Sequence, residues 1–189
     1  MNKQELANLI NTKVTSYREY RIKFAKLVLD SETLFLPLLE ISFDETNEAS
    51  VRASWVLDFV LREKLELLYP YLDVFTDNIS NVKHDSTVRP MSRICELLAK
   101  EYNSKKATTI KQHITKIHIE KIIETGFDWM ITKQKVAVKA YSMEMLYLFS
   151  KEVNWVHKEL QLIIQQEISD GSPAYKARGK RILKWIGNS

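Results

Sequence analysis

Four segments of the chain open alike, and their spacing constrains the fold more than any other feature. They begin Val51-Arg52-Ala53, Val88-Arg89-Pro90, Val138-Lys139-Ala140 and Tyr175-Lys176-Ala177. Each leads into a run of helical spacing: SVRASWVLDFVLREK, TVRPMSRICELLAKEY, AVKAYSMEMLYLFSKE and AYKARGKRILKWI. From basic residue to basic residue the steps are 37, 50 and 37 residues. A degenerate period of about 40 with a helix starting at each mark is the pattern of stacked helical hairpins, because a single hairpin cannot bury its apolar face alone.

Composition agrees with that reading. The 189 residues suit one domain, taken as residues 1–189. Only four glycines and four prolines occur, fewer turn residues than a strand-rich domain needs. No apolar run approaches the roughly 18 residues of a membrane span. The start, MNKQELANLINTK, is a helical pattern rather than a basic segment followed by an apolar core. Cys95 is the only cysteine, so no intrachain disulfide forms and a reducing cytoplasm is the expected home. The net charge of +4 is uneven. Residues 1–100 carry 13 basic and 15 acidic side chains, and residues 101–189 carry 15 and 9. The basic end, YKARGKRILK, can attract phosphates or acidic partners, or can be a solvated helix face.

The expected architecture is all-α, an irregular α-solenoid of about nine helices. Asn2 and Glu5 cap a first long helix, kinked near Thr15, with Leu6, Leu9, Ile10, Tyr17, Tyr20, Phe24, Leu27 and Val28 on one face. Ser31 caps the next. Helices follow over about Glu48 to Lys64, LELLYPYLDVFTDNIS, about Ser86 to Glu101, and ATTIKQHITKIHIEKIIETG, where Gly126 reads as a C-terminal stop. The fragment KIHIEKI alternates briefly, so strand stays open there; length favours helix. VAVKAYSMEMLYLFSKEV and WVHKELQLIIQQEIS follow. Ser172 and Pro173 then start a last helix, which runs to about Trp185.

The segment FLPLLEISFDETNEASVRASWVLDFVLREK resembles a HEAT repeat. In that family a proline sits in the first helix, an acidic turn follows, and Val-Arg opens the second helix. Pro37, Asp44 and Val51-Arg52-Ala53 fill those places. Pro70, Asp85 and Val88-Arg89 match in the second unit, and Asp128 with Val138-Lys139-Ala140 in the third. The fourth keeps only the basic helix start, and the resemblance covers roughly residues 33–186. It implies a non-catalytic scaffold that binds a protein partner on a concave face, without a cofactor. It also implies that each basic helix start pairs with a turn carboxylate. The alternative is that Arg52, Arg89, Lys139, Lys176 and Arg178 line an anion-binding surface. A cation in the first helical turn is opposed by the helix dipole, so one compensation or the other is required.

One branch of HEAT-like proteins removes alkylated bases from DNA with a cationic groove, aromatic residues and an acidic residue. Trp55 and Asp58 lie three apart on one helix, with Arg89 in the next unit, so a nucleic-acid partner is the second reading. The simpler assignment makes Trp55 core and Asp58 a surface charge or ladder partner. A third likeness is to short chains labelled adenylosuccinate lyase, through WVLDFV and KVAVKAYSMEMLY. The serine- and glycine-rich loop with a Met-Pro-x-Lys-x-Asn core that marks those lyases is absent from the sequence. His113 and His118 lie roughly 140° apart around a helix, a poor pair of metal ligands. Cys95 sits among Ile94, Leu97 and Leu98 and reads as a small buried apolar residue.

Overall fold

The computed structural model describes residues 1–188. It comprises eleven α-helices and three short 3-10 segments, with no strand among the described residues. Contacts divide the chain into two compact units, Met1–Ile94 and Cys95–Ser189.

Unit 1 holds α1 (Lys3–Lys13), α2 (Arg18–Asp30), α3 (Phe35–Phe43), α4 (Ser50–Glu63), α5 (Leu72–Asn78) and the first part of α6 (Asp85–Tyr102). The expected cap is present: Glu5 N–H donates to Asn2 Oδ1 at 2.9 Å, and Asn2 N–H donates to Glu5 Oε2 at 2.9 Å. The kink expected near Thr15 is a full break that divides the long helix in two. Val14 turns extended, Tyr17 N–H donates to Thr15 Oγ1 at 3.3 Å, and the chain restarts at Arg18. Local hydrogen bonding by Thr competes here with helix continuation. The break rotates the apolar face: Leu6, Ile10, Phe24 and Val28 are buried, while Tyr17, Tyr20 and Leu27 are exposed. Ser31 makes no cap and bonds Thr33 instead. Helix α4 packs on both α2 and α3. Leu57 and Leu61 of α4 and Phe35, Leu38 and Leu39 of α3 are fully buried. Each such side chain contributes about 1.5–3 kcal/mol relative to exposure.

Unit 2 is built on α9 (Val136–Phe149), which packs against α8 (Lys116–Ile131), α10 (Trp155–Glu167) and α11 (Pro173–Gly187). Contact on several sides explains the weakly amphipathic sequence of α9, in which Val138, Met143, Met145, Leu146 and Phe149 are all buried. The helix expected from Ala107 onward is two. A single turn, α7 (Ile110–His113), ends at an extended Ile114, and α8 then starts with its own capping box. His118 N–H donates to Thr115 Oγ1 at 3.3 Å, and Thr115 N–H donates to His118 Nδ1 at 3.1 Å. A histidine thus fills the place Glu or Gln usually takes. These two splits account for eleven helices in place of about nine.

Gly126 corrects a second expectation. It lies inside α8 rather than at its end, and a Cβ there would run into Met145 Cε and approach Leu146 Cδ2 at 3.2 Å. The glycine is present because α8 and α9 approach closely, not because a helix stops. Ser172 and Pro173 do start α11 as expected, with Tyr175 N–H donating to Ser172 Oγ at 3.3 Å.

Candidate functional site

In unit 1, Trp55, Asp58, Phe59 and Arg62 fall at positions i, i+3, i+4 and i+7 of α4 and so share one face. Arg18 and Arg21 of α2 and Arg89 and Arg93 of α6 share faces by the same spacing. Asp58 is only 7% exposed. Arg62 Nε donates to its Oδ1 at 3.0 Å while Nη2 donates to Oδ2, a bidentate pair. Burial nevertheless pushes the Asp58 carboxyl above the usual aspartate value, against the pull of Arg62 first and then of Arg93 and Arg89. Of the two simpler expectations for Asp58, a surface charge or a ladder partner, the first is corrected: it is a buried carboxylate, and its bidentate partner Arg62 lies on its own helix.

The aromatics are held by the same cations. The Arg21 guanidinium lies 4.4 Å from the centre of the Trp55 ring, and Arg21 Nη2 donates to the Ser16 carbonyl at 2.7 Å. Trp55 Nε1 donates to the Ser86 carbonyl at 3.1 Å. Trp55 is thus half-buried on this face rather than in the core. Phe59 sits between Arg62, at 4.7 Å, and Arg18, at 5.9 Å. The Arg21 pKa falls below its ordinary value, through burial first and then repulsion from Arg89. Asp58 opposes that fall, and Arg62 adds to it. Beside this cluster α2 and α4 enclose an open cleft of about 310 Å³, lined by Arg18, Ile22, Lys26, Leu29, Phe59 and Arg62 among others.

The basic end behaves otherwise. In unit 2 the buried carboxylates of Glu96 and Glu144 are shared among three cations. Lys100 Nζ lies 3.1 Å from Glu96 and 3.0 Å from Glu144. Arg178 Nη1 bonds Glu144 Oε2 and reaches Glu96 Oε1 at 3.4 Å, and Arg181 Nη2 bonds Glu144 at 2.8 Å. Lys139 Nζ contacts both oxygens of Glu167, at 3.0 and 2.8 Å. Glu167 and burial together push the Tyr175 hydroxyl pKa up, burial being the larger cause.

The expected ladder of basic helix starts and turn carboxylates is corrected in its partners. Arg52 donates to Asn11 Oδ1 at 2.8 Å, not to Asp44. Asp44 is occupied by its own turn, accepting from Thr46 Oγ1 at 2.6 Å, a bond that lowers its pKa. Lys139 and Arg178 pair with carboxylates from helices, not turns. Arg89 is exposed, and its side chain hydrogen-bonds no other described residue. Lys176 is half-buried and forms no ion pair with another described residue.

The structure thus brings Trp55, Asp58 and Arg89 together within unit 1, and adds Arg18, Arg21, Arg62, Arg93 and Phe59, which the repeat pattern did not single out. The signal that points to them is the i, i+3 and i+4 spacing of arginines with aromatics on α2, α4 and α6. Cys95 is fully buried, and burial pushes its thiol pKa up, as expected for a core side chain. Among the described residues no group of His, Cys, Asp and Glu is placed to hold a metal ion. No helix among the described residues is long and apolar enough to cross a membrane.

Helix following helix through short connections, with no strand among the described residues, is the architecture of a helical-repeat protein. The chain belongs to the HEAT repeat family: the model described as HEAT repeat domain matches residues 14–186. The match begins before residue 33, so it takes in α2 and its arginines. Neither the curated proteins nor the solved structures contain a match to the chain.

Proposed function

We propose that the chain is a non-catalytic HEAT-repeat interaction module that binds a protein partner through the arginine-lined face of unit 1. One observation carries this: Arg21, Arg62 and Arg89 gather about the buried carboxylate of Asp58, with Arg18 beside them on the Phe59 ring. Like charges so gathered repel, and Asp58 offsets only part of the excess. A negative group on a partner would offset the rest. Repeat arrays present extended surfaces for such contacts. The same reading takes residues 1–189 as one repeat domain, an irregular solenoid of hairpins. The recurrence of basic helix starts and the family match over 14–186 support it. The lone buried Cys95 suits the cytoplasm.

The nucleic-acid reading keeps one observation in its favour, the exposed Arg89 beside Trp55 and Asp58. Base chemistry draws no support from it, since Arg62 holds both oxygens of Asp58 and Arg21 covers Trp55. The test is thermal melting at low salt with poly-glutamate and with duplex DNA at equal charge concentration. Poly-glutamate is expected to raise the melting temperature more than DNA does, through preferential binding to the folded state. A larger rise with DNA moves the function to nucleic acid, and no rise with either removes the anionic-partner reading.

A further inference from the structure

We propose that the cleft between α2 and α4 is the docking site for a short acidic segment of the partner that carries one large apolar side chain. This rests on the interaction-module reading and specifies its ligand. The cleft has two chemistries in one place. Ile22, Leu29 and Phe59 supply an apolar floor; Ile22 is 46% exposed, a large aliphatic side chain left on the surface. Arg18, Lys26 and Arg62 supply the rim. The positions 18, 22, 26 and 29 follow one stripe of α2, so rim and floor are built into the same helix face.

The rim is available for carboxylates. Arg18 and Lys26 are exposed and form no ion pair with another described residue. Arg62 uses Nε and Nη2 on Asp58, which leaves its Nη1 N–H groups to donate to a second carboxylate. Arg18 is the first residue of α2, where the helix dipole opposes a cation and an added anion is favoured. The volume of about 310 Å³ is at the lower end of ligand pockets, roughly 300–1,000 Å³, which suits side chains of a segment.

Charge complementarity selects a peptide over a phosphate backbone. Residues 1–94 carry 12 basic and 14 acidic side chains, so the cationic cleft is a local feature of a net-acidic unit. Glu63 also lines the cleft. A continuous phosphate strand meets more of that surrounding like charge than a short acidic segment does. The apolar floor gives a phosphate nothing and gives a phenylalanine or leucine side chain a place to leave water.

The experiment uses the full chain and a labelled 12-residue peptide of glutamates and aspartates around a central phenylalanine, read by fluorescence anisotropy. Its companion has alanine in place of the phenylalanine. The phenylalanine peptide is expected to bind about ten-fold more tightly, the scale of one apolar side chain buried. Ile22→Gln should remove that difference while leaving the salt dependence intact. Arg18→Gln with Lys26→Gln should weaken both peptides. These positions are exposed, and circular dichroism confirms that each variant is folded. Equal binding of the two peptides overturns the apolar anchor but leaves the interaction-module reading standing. Tighter binding of duplex DNA than of either peptide, lost in the Arg18 and Lys26 variant, overturns the peptide class. Failure of both peptides and of poly-glutamate overturns the inference and the module reading together.

Discussion

Arg62 grips both oxygens of Asp58, yet the carboxyl it grips is buried and titrates above its ordinary value. Desolvation therefore outweighs the pair in setting where this carboxyl titrates. A buried pair contributes net stability only when its geometry repays the cost of taking both charges out of water. Here the compensation is incomplete, and this makes the face a candidate for binding rather than for scaffolding.

That relationship sets a pH dependence. A carboxyl with a raised folded pKa holds its proton more tightly in the folded chain. Its contribution is most favourable below the ordinary value of about 3.9 and is lost as pH rises toward the folded value. Asp58→Asn cannot ionise and escapes this loss. The parent should therefore lose melting temperature relative to Asp58→Asn as pH rises from about 3.9. A parent that gains on the variant over that range shows that Arg62 outweighs burial.

Two cations at repeat helix starts should respond oppositely to removal. Arg178→Ala removes one of the three cations that share the buried Glu144 and Glu96 in unit 2, leaving Lys100 and Arg181. Losing one charge-assisted hydrogen-bonding partner from such a network costs about 1.5–3 kcal/mol. Arg89→Ala removes an exposed side chain that hydrogen-bonds no other described residue, and it relieves Arg21 of a like charge. Its melting temperature should stay within about 2 °C of the parent's. Equal losses for the two variants would contradict this division.

Gly126 gives a packing test. Gly126→Leu drives a side chain against Met145 and Leu146 of α9. Overpacking costs about 1–3 kcal/mol, while the better helix propensity returns up to about 1. Net destabilisation in a urea titration is expected, and a stabilised variant would mean that α8 and α9 do not approach so closely.

The helical class was legible because periodic apolar positions and scarce glycine leave few alternatives. The start caps at Asn2 and Ser172 were legible because capping is local. A kink near Thr15 was legible but its extent was not, since Thr15 competes with the helix through a bond that no periodicity reveals and turns the kink into a full break. Gly126 misled because a glycine that stops a helix and one that admits a neighbour look alike in sequence.

The candidate site was half legible. Trp55, Asp58 and Arg89 stood out, but the basic excess pointed to the C-terminal end. Folding pairs two of its arginines, Arg178 and Arg181, with Glu144 and Glu96, which lie 34 and 82 residues from Arg178 along the chain. It also gathers arginines in a unit whose overall charge is acidic. Net charge by segment cannot report either event, because both depend on which helices meet.

The central claim is that unit 1, not the basic C-terminal segment, carries the binding surface. The direct measurement is the affinity of poly-glutamate for two double variants of matched charge, at low salt. Arg18→Gln with Arg89→Gln removes two arginines of the unit 1 face, and Lys176→Gln with Lys180→Gln removes two lysines of α11. The account predicts that the first pair loses most of the binding and its salt dependence, while the second binds like the parent. Loss confined to the α11 variant would contradict it.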